Sequence, residues 1–123
     1  MLQDSPAFSG FSVNDLKAAQ DFYSQVLGLT VKDTGMGLDV TLNGSRLFIY
    51  EKPDHKPATF TVLNFPVEDI DTTVKALKDK GVTFEHYEDM TDDDGIARGR
   101  SADRGPDIAW FTDPAGNVLS VLH

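Results

Sequence analysis

The 123-residue sequence predicts an α+β fold made of two tandem βαβββ modules, and three observations carry that prediction. First, Phe65, Val67, Asp69 and Ile70 repeat Phe11, Val13, Asp15 and Leu16 at an offset of 54 residues. Second, a helical apolar stripe follows each copy and ends at a glycine, Gly28 or Gly81, displaced by a single deletion. Third, the chain closes on two apolar runs flanking Asp113-Pro-Ala-Gly-Asn117, whose Pro, Gly and Asn supply the backbone angles of a tight reversal. A repeat of this length signals two copies of one supersecondary unit, neither able to cover its own apolar sheet face.

The elements follow in order. Phe8 to Val13 is β-prone, and Asn14-Asp15 offers a helix N-cap before Leu16, Ala19, Tyr23, Val26 and Leu27 at helical spacing. Strands are predicted at Thr30 to Asp33, Leu38 to Leu42 and Arg46 to Tyr50, with Asn43-Gly44 as a hairpin turn. Glu51 to Pro57, polar and carrying two prolines, reads as a linker. In the second copy Ile70, Thr73, Val74 and Leu77 form the helical stripe, Thr83 to Tyr87 reads as a strand, and Glu88 to about Gly105 as a long polar loop. The closing hairpin completes the module. One domain therefore spans 1–123, with module 1 at about 7–51, a linker at about 52–58 and module 2 at about 59–123.

Composition narrows the function. Without cysteine there is no disulfide, thiolate zinc site or cysteine nucleophile. A formal charge of −9 opposes binding to nucleic acid or an acidic membrane surface and favours, if anything, a cationic ligand. No stretch reads as a signal peptide or a membrane span, so a cytoplasmic location is expected. The acidic run Glu88 to Gly95 is not an EF-hand. With Gly95 at the sixth loop position, Met90 and Ser101 occupy the first and twelfth, where carboxylates are required.

The paired Phe-x-Val-x-Asp starts, Phe22-Tyr23 before Leu27-Gly28-Leu29, and the closing Asp-Pro-x-Gly-Asn resemble the vicinal oxygen chelate superfamily of glyoxalase I, extradiol dioxygenases, fosfomycin resistance enzymes and bleomycin resistance proteins. The resemblance implies modules whose strands form a curved mixed sheet around a pocket, in a homodimer. It also implies divalent-metal ligands at three positions, which fall here on Phe8, Val62 and Ser120. None is competent, because phenyl and isopropyl groups have no lone pair to give and one neutral hydroxyl does not hold zinc, iron or manganese.

No metal and no cofactor are therefore expected. The favoured expectation is a metal-independent protein, like the bleomycin resistance branch, that binds a small aromatic or cationic molecule. Alternation along Leu47 to Tyr50 puts Phe48 and Tyr50 on the face opposite Leu47 and Ile49. Phe8, Phe48, Tyr50, His55, Val62, Asn64, Trp110 and Ser120 are the expected ligand-binding residues, apolar walls with a few placed polar groups. The alternative is an enzyme of the glyoxalase or dioxygenase type using displaced ligands such as His55, His86 and Glu88, or acid-base chemistry by Tyr50 and His55.

Overall fold

The computed structural model describes residues 1–123. The chain divides into two compact units, Met1–Lys56 and Pro57–His123, with the boundary inside the polar linker. The first contains β1 (Ser9–Val13), α1 (Leu16–Asp21) continued by a π-helical turn (Phe22–Val26), β2 (Thr30–Asp33), β3 (Leu38–Leu42) and β4 (Ser45–Glu51). The second contains β5 (Thr61–Pro66), α2 (Ile70–Asp79), β6 (Ile96–Arg98), β7 (Asp107–Thr112) and β8 (Val118–Leu122). Their sheets run β1-β4-β3-β2 and β5-β8-β7-β6. In each, the first strand pairs parallel with the last and the others pair antiparallel. The sequence repeat is thus a repeat of topology.

Each helix starts for the same local reason. Asp15 and Asp69 sit in extended backbone, and their carboxylates accept hydrogen bonds from Ala18 N at 3.1 Å and Thr72 N at 3.0 Å, satisfying amides that a first helical turn leaves unpaired. The apolar faces below them are the cores. Val13, Ala19, Tyr23, Leu38, Val40, Leu47 and Ile49 are buried in the first unit, where Tyr23 also meets the Phe11 ring. Ile70, Val74, Phe84, Ile96, Phe111, Leu119 and Val121 are buried in the second.

Four elements differ from the sequence reading. The helix from Leu16 does not run regularly to Gly28. After Asp21 its hydrogen bonds widen, and Leu27 N donates to Phe22 O at 3.0 Å. Thr83 to Tyr87 forms no strand. Only Phe84 bridges to Phe111, and the module's second strand is Ile96–Arg98, inside the segment expected to be loop. Acidic flanks hide so short a strand, yet they build it. Asp92 Oδ1 accepts from Asp94 N and Ile96 N, each at 2.9 Å, and Asp92 Oδ2 accepts from Arg98 Nε at 3.0 Å. Phe8 lies outside β1, which begins at Ser9. A bulge between Thr61 and Leu63 interrupts the pairing of β5 with β8, leaving Val62 without a partner.

Arg98 fastens β6 to α2. Its guanidinium reaches Asp71 Oδ1 at 2.6 Å as well as Asp92, and Asp107 lies 3.9 Å away. The hydrogen bond from Arg98 holds the Asp71 carboxyl below its ordinary value. At Asp92 partial burial pushes the other way, but the Ile96 amide, Arg98 and the Asp94 amide together leave it lowered too. Folded-state values below the unfolded value near 3.8 mean that these contacts contribute fully above that pH and are lost as pH falls through the folded values. Arg98→Met should therefore lower the urea midpoint at pH 7, and the gap from the parent protein should narrow progressively as pH falls below 3.8 through the lowered folded-state values. Urea titrations at pH 7 and across that lower range measure it, and a gap that persisted undiminished at low pH would contradict the account.

Candidate functional site

Strand register decides which side chains share a surface. In the first unit β1 and β4 pair Gly10 with Phe48 and Ser12 with Tyr50, while Asp39 of β3 stands opposite Phe48. These residues lie on the face turned away from Leu47 and Ile49, which are 1% and 0% exposed. Phe48 and Tyr50 stack there, with ring centroids 6.3 Å apart and planes 19° apart. Gly37 makes room for the stack, since a Cβ at that position would come within 2.6 Å of the Phe48 ring. At one end Arg46 lies over the Phe8 ring, 3.6 Å from its centroid, and pairs with Asp39 at 2.9 Å.

His55 sits at the other end. Lys52 N donates to Val13 O, and His55 N donates to Lys52 O at 2.9 Å, so the linker turns back against β1. This brings His55 Nδ1 to 2.6 Å from Ser12 Oγ, both residues being half-buried. Ser12 was not among the expected site residues. Its register puts it with Gly10 on the face shared by Phe48 and Tyr50, but no local pattern announces a contact across 43 residues.

In the second unit the corresponding row is Asn64, Ser120 and Trp110, paired across β5, β8 and β7. Ser120 is fully buried, and its hydroxyl donates to Asn64 Oδ1 at 2.5 Å. Trp110 is half-buried and meets Tyr87 edge to face, with centroids 5.5 Å apart. Beside them a cavity of about 590 Å³ is lined by Met90, Asp92, Arg98, Arg104, Ile108 and Trp110 among others. Neither the cavity nor its arginines were read from the sequence, because they depend on β6 and on the loops around it.

The three positions at which the resemblance implies a metal do not fit one. Phe8 is half-exposed with its ring against Arg46, Val62 falls at the bulge, and the Ser120 hydroxyl is bound to Asn64. The alternative set fares no better. His86 is exposed with Nε2 3.2 Å from Asp93 O, Glu88 is exposed, and no group of three or more His, Asp or Glu side chains is arranged to hold a metal ion.

With topology and site in view, comparison with known proteins assigns the family. The family model "Glyoxalase/Bleomycin resistance protein/Dioxygenase superfamily" matches residues 7–121, and the chain belongs to that superfamily. Its fold is similar to that of a lactoylglutathione lyase from Agrobacterium tumefaciens, with 20% identity, a TM-score of 0.69 and coverage of 98% of this chain and 94% of that one. A glyoxalase/bleomycin resistance protein from Streptomyces sp. CB03234 is 22% identical, with a TM-score of 0.62 over 95% of this chain and 100% of that one. A fosfomycin resistance protein from Listeria monocytogenes is 13% identical, with a TM-score of 0.70 over 94% and 89%. Likeness at these identities is likeness of fold. No curated protein sequence matches the chain. No helix is long and apolar enough to cross a membrane.

Restoring one carboxylate should not restore a metal site. Ser120→Glu would place a charge in a fully buried position beside an amide oxygen, at a cost of about 3 kcal/mol or more, or leave the group protonated. The variant should melt earlier than the parent and show no tight binding of zinc, manganese or nickel by calorimetric titration. Micromolar or tighter binding would show that other donors already converge there.

Proposed function

We propose that this superfamily member binds a small, flat molecule without a metal ion, as a binding protein rather than by the metal chemistry of its enzymatic relatives. The observation that carries this reading is the parallel Phe48–Tyr50 stack on the face turned away from the core, with Tyr50 41% exposed. An aromatic face of this kind favours a planar or cationic group through stacking and the ring quadrupole. The formal charge of −9 favours a neutral or cationic ligand over an anionic one. His55 and Ser12 add polar atoms at one edge of the platform. Trp110 and its cavity offer a comparable apolar surface in the second unit. The Ser120–Asn64 pair supports the metal-free part of the reading, because a hydroxyl already committed to an amide oxygen is a poor ligand.

A fluorescence titration with thioflavin T, a planar cation, against anilinonaphthalene sulfonate, an anionic aryl dye, tests the site. The cation should bind more tightly. Tyr50→Ala should weaken its binding about tenfold, or ~1.4 kcal/mol, with folding unchanged, because the ring is partly exposed. Unaltered affinity in Tyr50→Ala and Phe48→Leu would remove the platform from the function.

We also propose that the protein works as a homodimer. Phe8, Met36 and Phe60 expose 50%, 85% and 69% of their surface, and a closed pair of chains would cover such side chains. Light scattering at micromolar protein should give the mass of two chains. A monomer mass independent of concentration would contradict it.

A further inference from the structure

The Ser12–His55 pair is chemically more than a polar edge. Ser12 Oγ lies 2.6 Å from His55 Nδ1, within the distance at which an imidazole takes the proton of an attacking hydroxyl. The pair is built by two separate elements. Ser12 is fixed on β1 by its register opposite Tyr50, and His55 is fixed by the turn whose amides bind Val13 O and Lys52 O. Both residues are half-buried, which shields the hydrogen bond from water while leaving part of each side chain at the surface. The stacked Phe48 and Tyr50 rings continue the same sheet face and provide an apolar seat for an aryl group next to the hydroxyl.

We propose that Ser12 is a nucleophile activated by His55, and that the protein hydrolyses activated aryl esters through an acyl-Ser12 intermediate. This rests on the aromatic platform being the binding surface. With the ring proton on Nε2, the Ser12 hydroxyl donates to the Nδ1 lone pair. Oγ attacks the ester carbonyl carbon, a carbon–oxygen bond forms, and the hydroxyl proton passes to Nδ1. Collapse of the tetrahedral adduct breaks the bond to the aryl oxygen, and the phenol leaves with the proton from His55. A water molecule then attacks the acyl group, giving one proton to Nδ1 that returns to Ser12 Oγ as the carboxylic acid departs. No oxidant or further reactant is required. Aryl esters are the fitting class because their leaving group is stable as a phenolate, so acylation demands less of an oxyanion pocket than an alkyl ester does.

p-Nitrophenyl acetate supplies the test. The intact protein should gain a single acetyl group during turnover, mapped to Ser12 by peptide mass spectrometry. Ser12→Ala should lose both the adduct and the nitrophenol release above background. Ser12→Cys should still be acylated at position 12, which separates loss of the nucleophile from loss of the fold. His55→Gln should slow acylation about 100-fold. Thioflavin T binding, followed in parallel, separates the two readings. Binding retained without acylation overturns the nucleophile alone, and binding lost in the parent protein overturns the platform. Acylation mapping to lysines instead, or unchanged in His55→Gln, also overturns the proposal.

Discussion

The second unit depends on a buried carboxylate. Asp113 is 4% exposed, and its Oδ1 accepts from Ala115 N and Asn117 N at 2.9 Å while Oδ2 accepts from Asn117 Nδ2 at 3.0 Å. A buried carboxyl is tolerated when its lone pairs are so occupied, and the turn itself supplies these three donors. The requirement therefore selects one turn geometry, with Gly116 at a φ of 87° and Asn117 2% exposed. That geometry fixes how β7 meets β8, and so which residue faces Ser120. One residue of slip would exchange Trp110 for a core side chain and turn the apolar row outward.

This dependence explains what the sequence discloses. Asp-Pro-x-Gly-Asn and Asn-Gly are legible because each residue's backbone preference is local, and both hairpins form where they point. The capping aspartates are legible for the same reason. The alternation of Leu47 to Tyr50 sorted buried from exposed side chains because that strand has no irregularity. Val62 could not be placed by alternation, since a bulge changes the count without changing the composition. β6 was missed because three residues carry too little pattern, and what holds them is an arginine tied to carboxylates at positions 71, 92 and 107. Ser12 and His55 meet through tertiary folding alone.

The two units show how one frame serves different surfaces. Register makes Gly10, Phe48 and Asp39 of the first the counterparts of Asn64, Ser120 and Trp110 of the second. In the first, the central strand carries the aromatic ring and its neighbour a glycine. In the second, the central strand carries a hydroxyl bound to the neighbouring amide, and the aromatic ring moves one strand outward. The backbone is common to both, and the chemistry lies in what these few positions present.

The π-helical turn in the first unit offsets a difference in length between the modules. Leu16 and Ile70, which open the two helices, are 54 residues apart, whereas Gly28 and Gly81, which follow them, are 53 apart. The first copy thus carries one residue more between fixed ends, and the widened hydrogen bonds from Phe22 onward are where that residue is accommodated. A helix held at both ends by strands has little room to lengthen, so the extra residue bulges, and i→i+5 hydrogen bonding absorbs it while Tyr23 stays in the core. The wide turn thus lets the first module carry one residue more than the second while the strands on either side keep the same order and pairing.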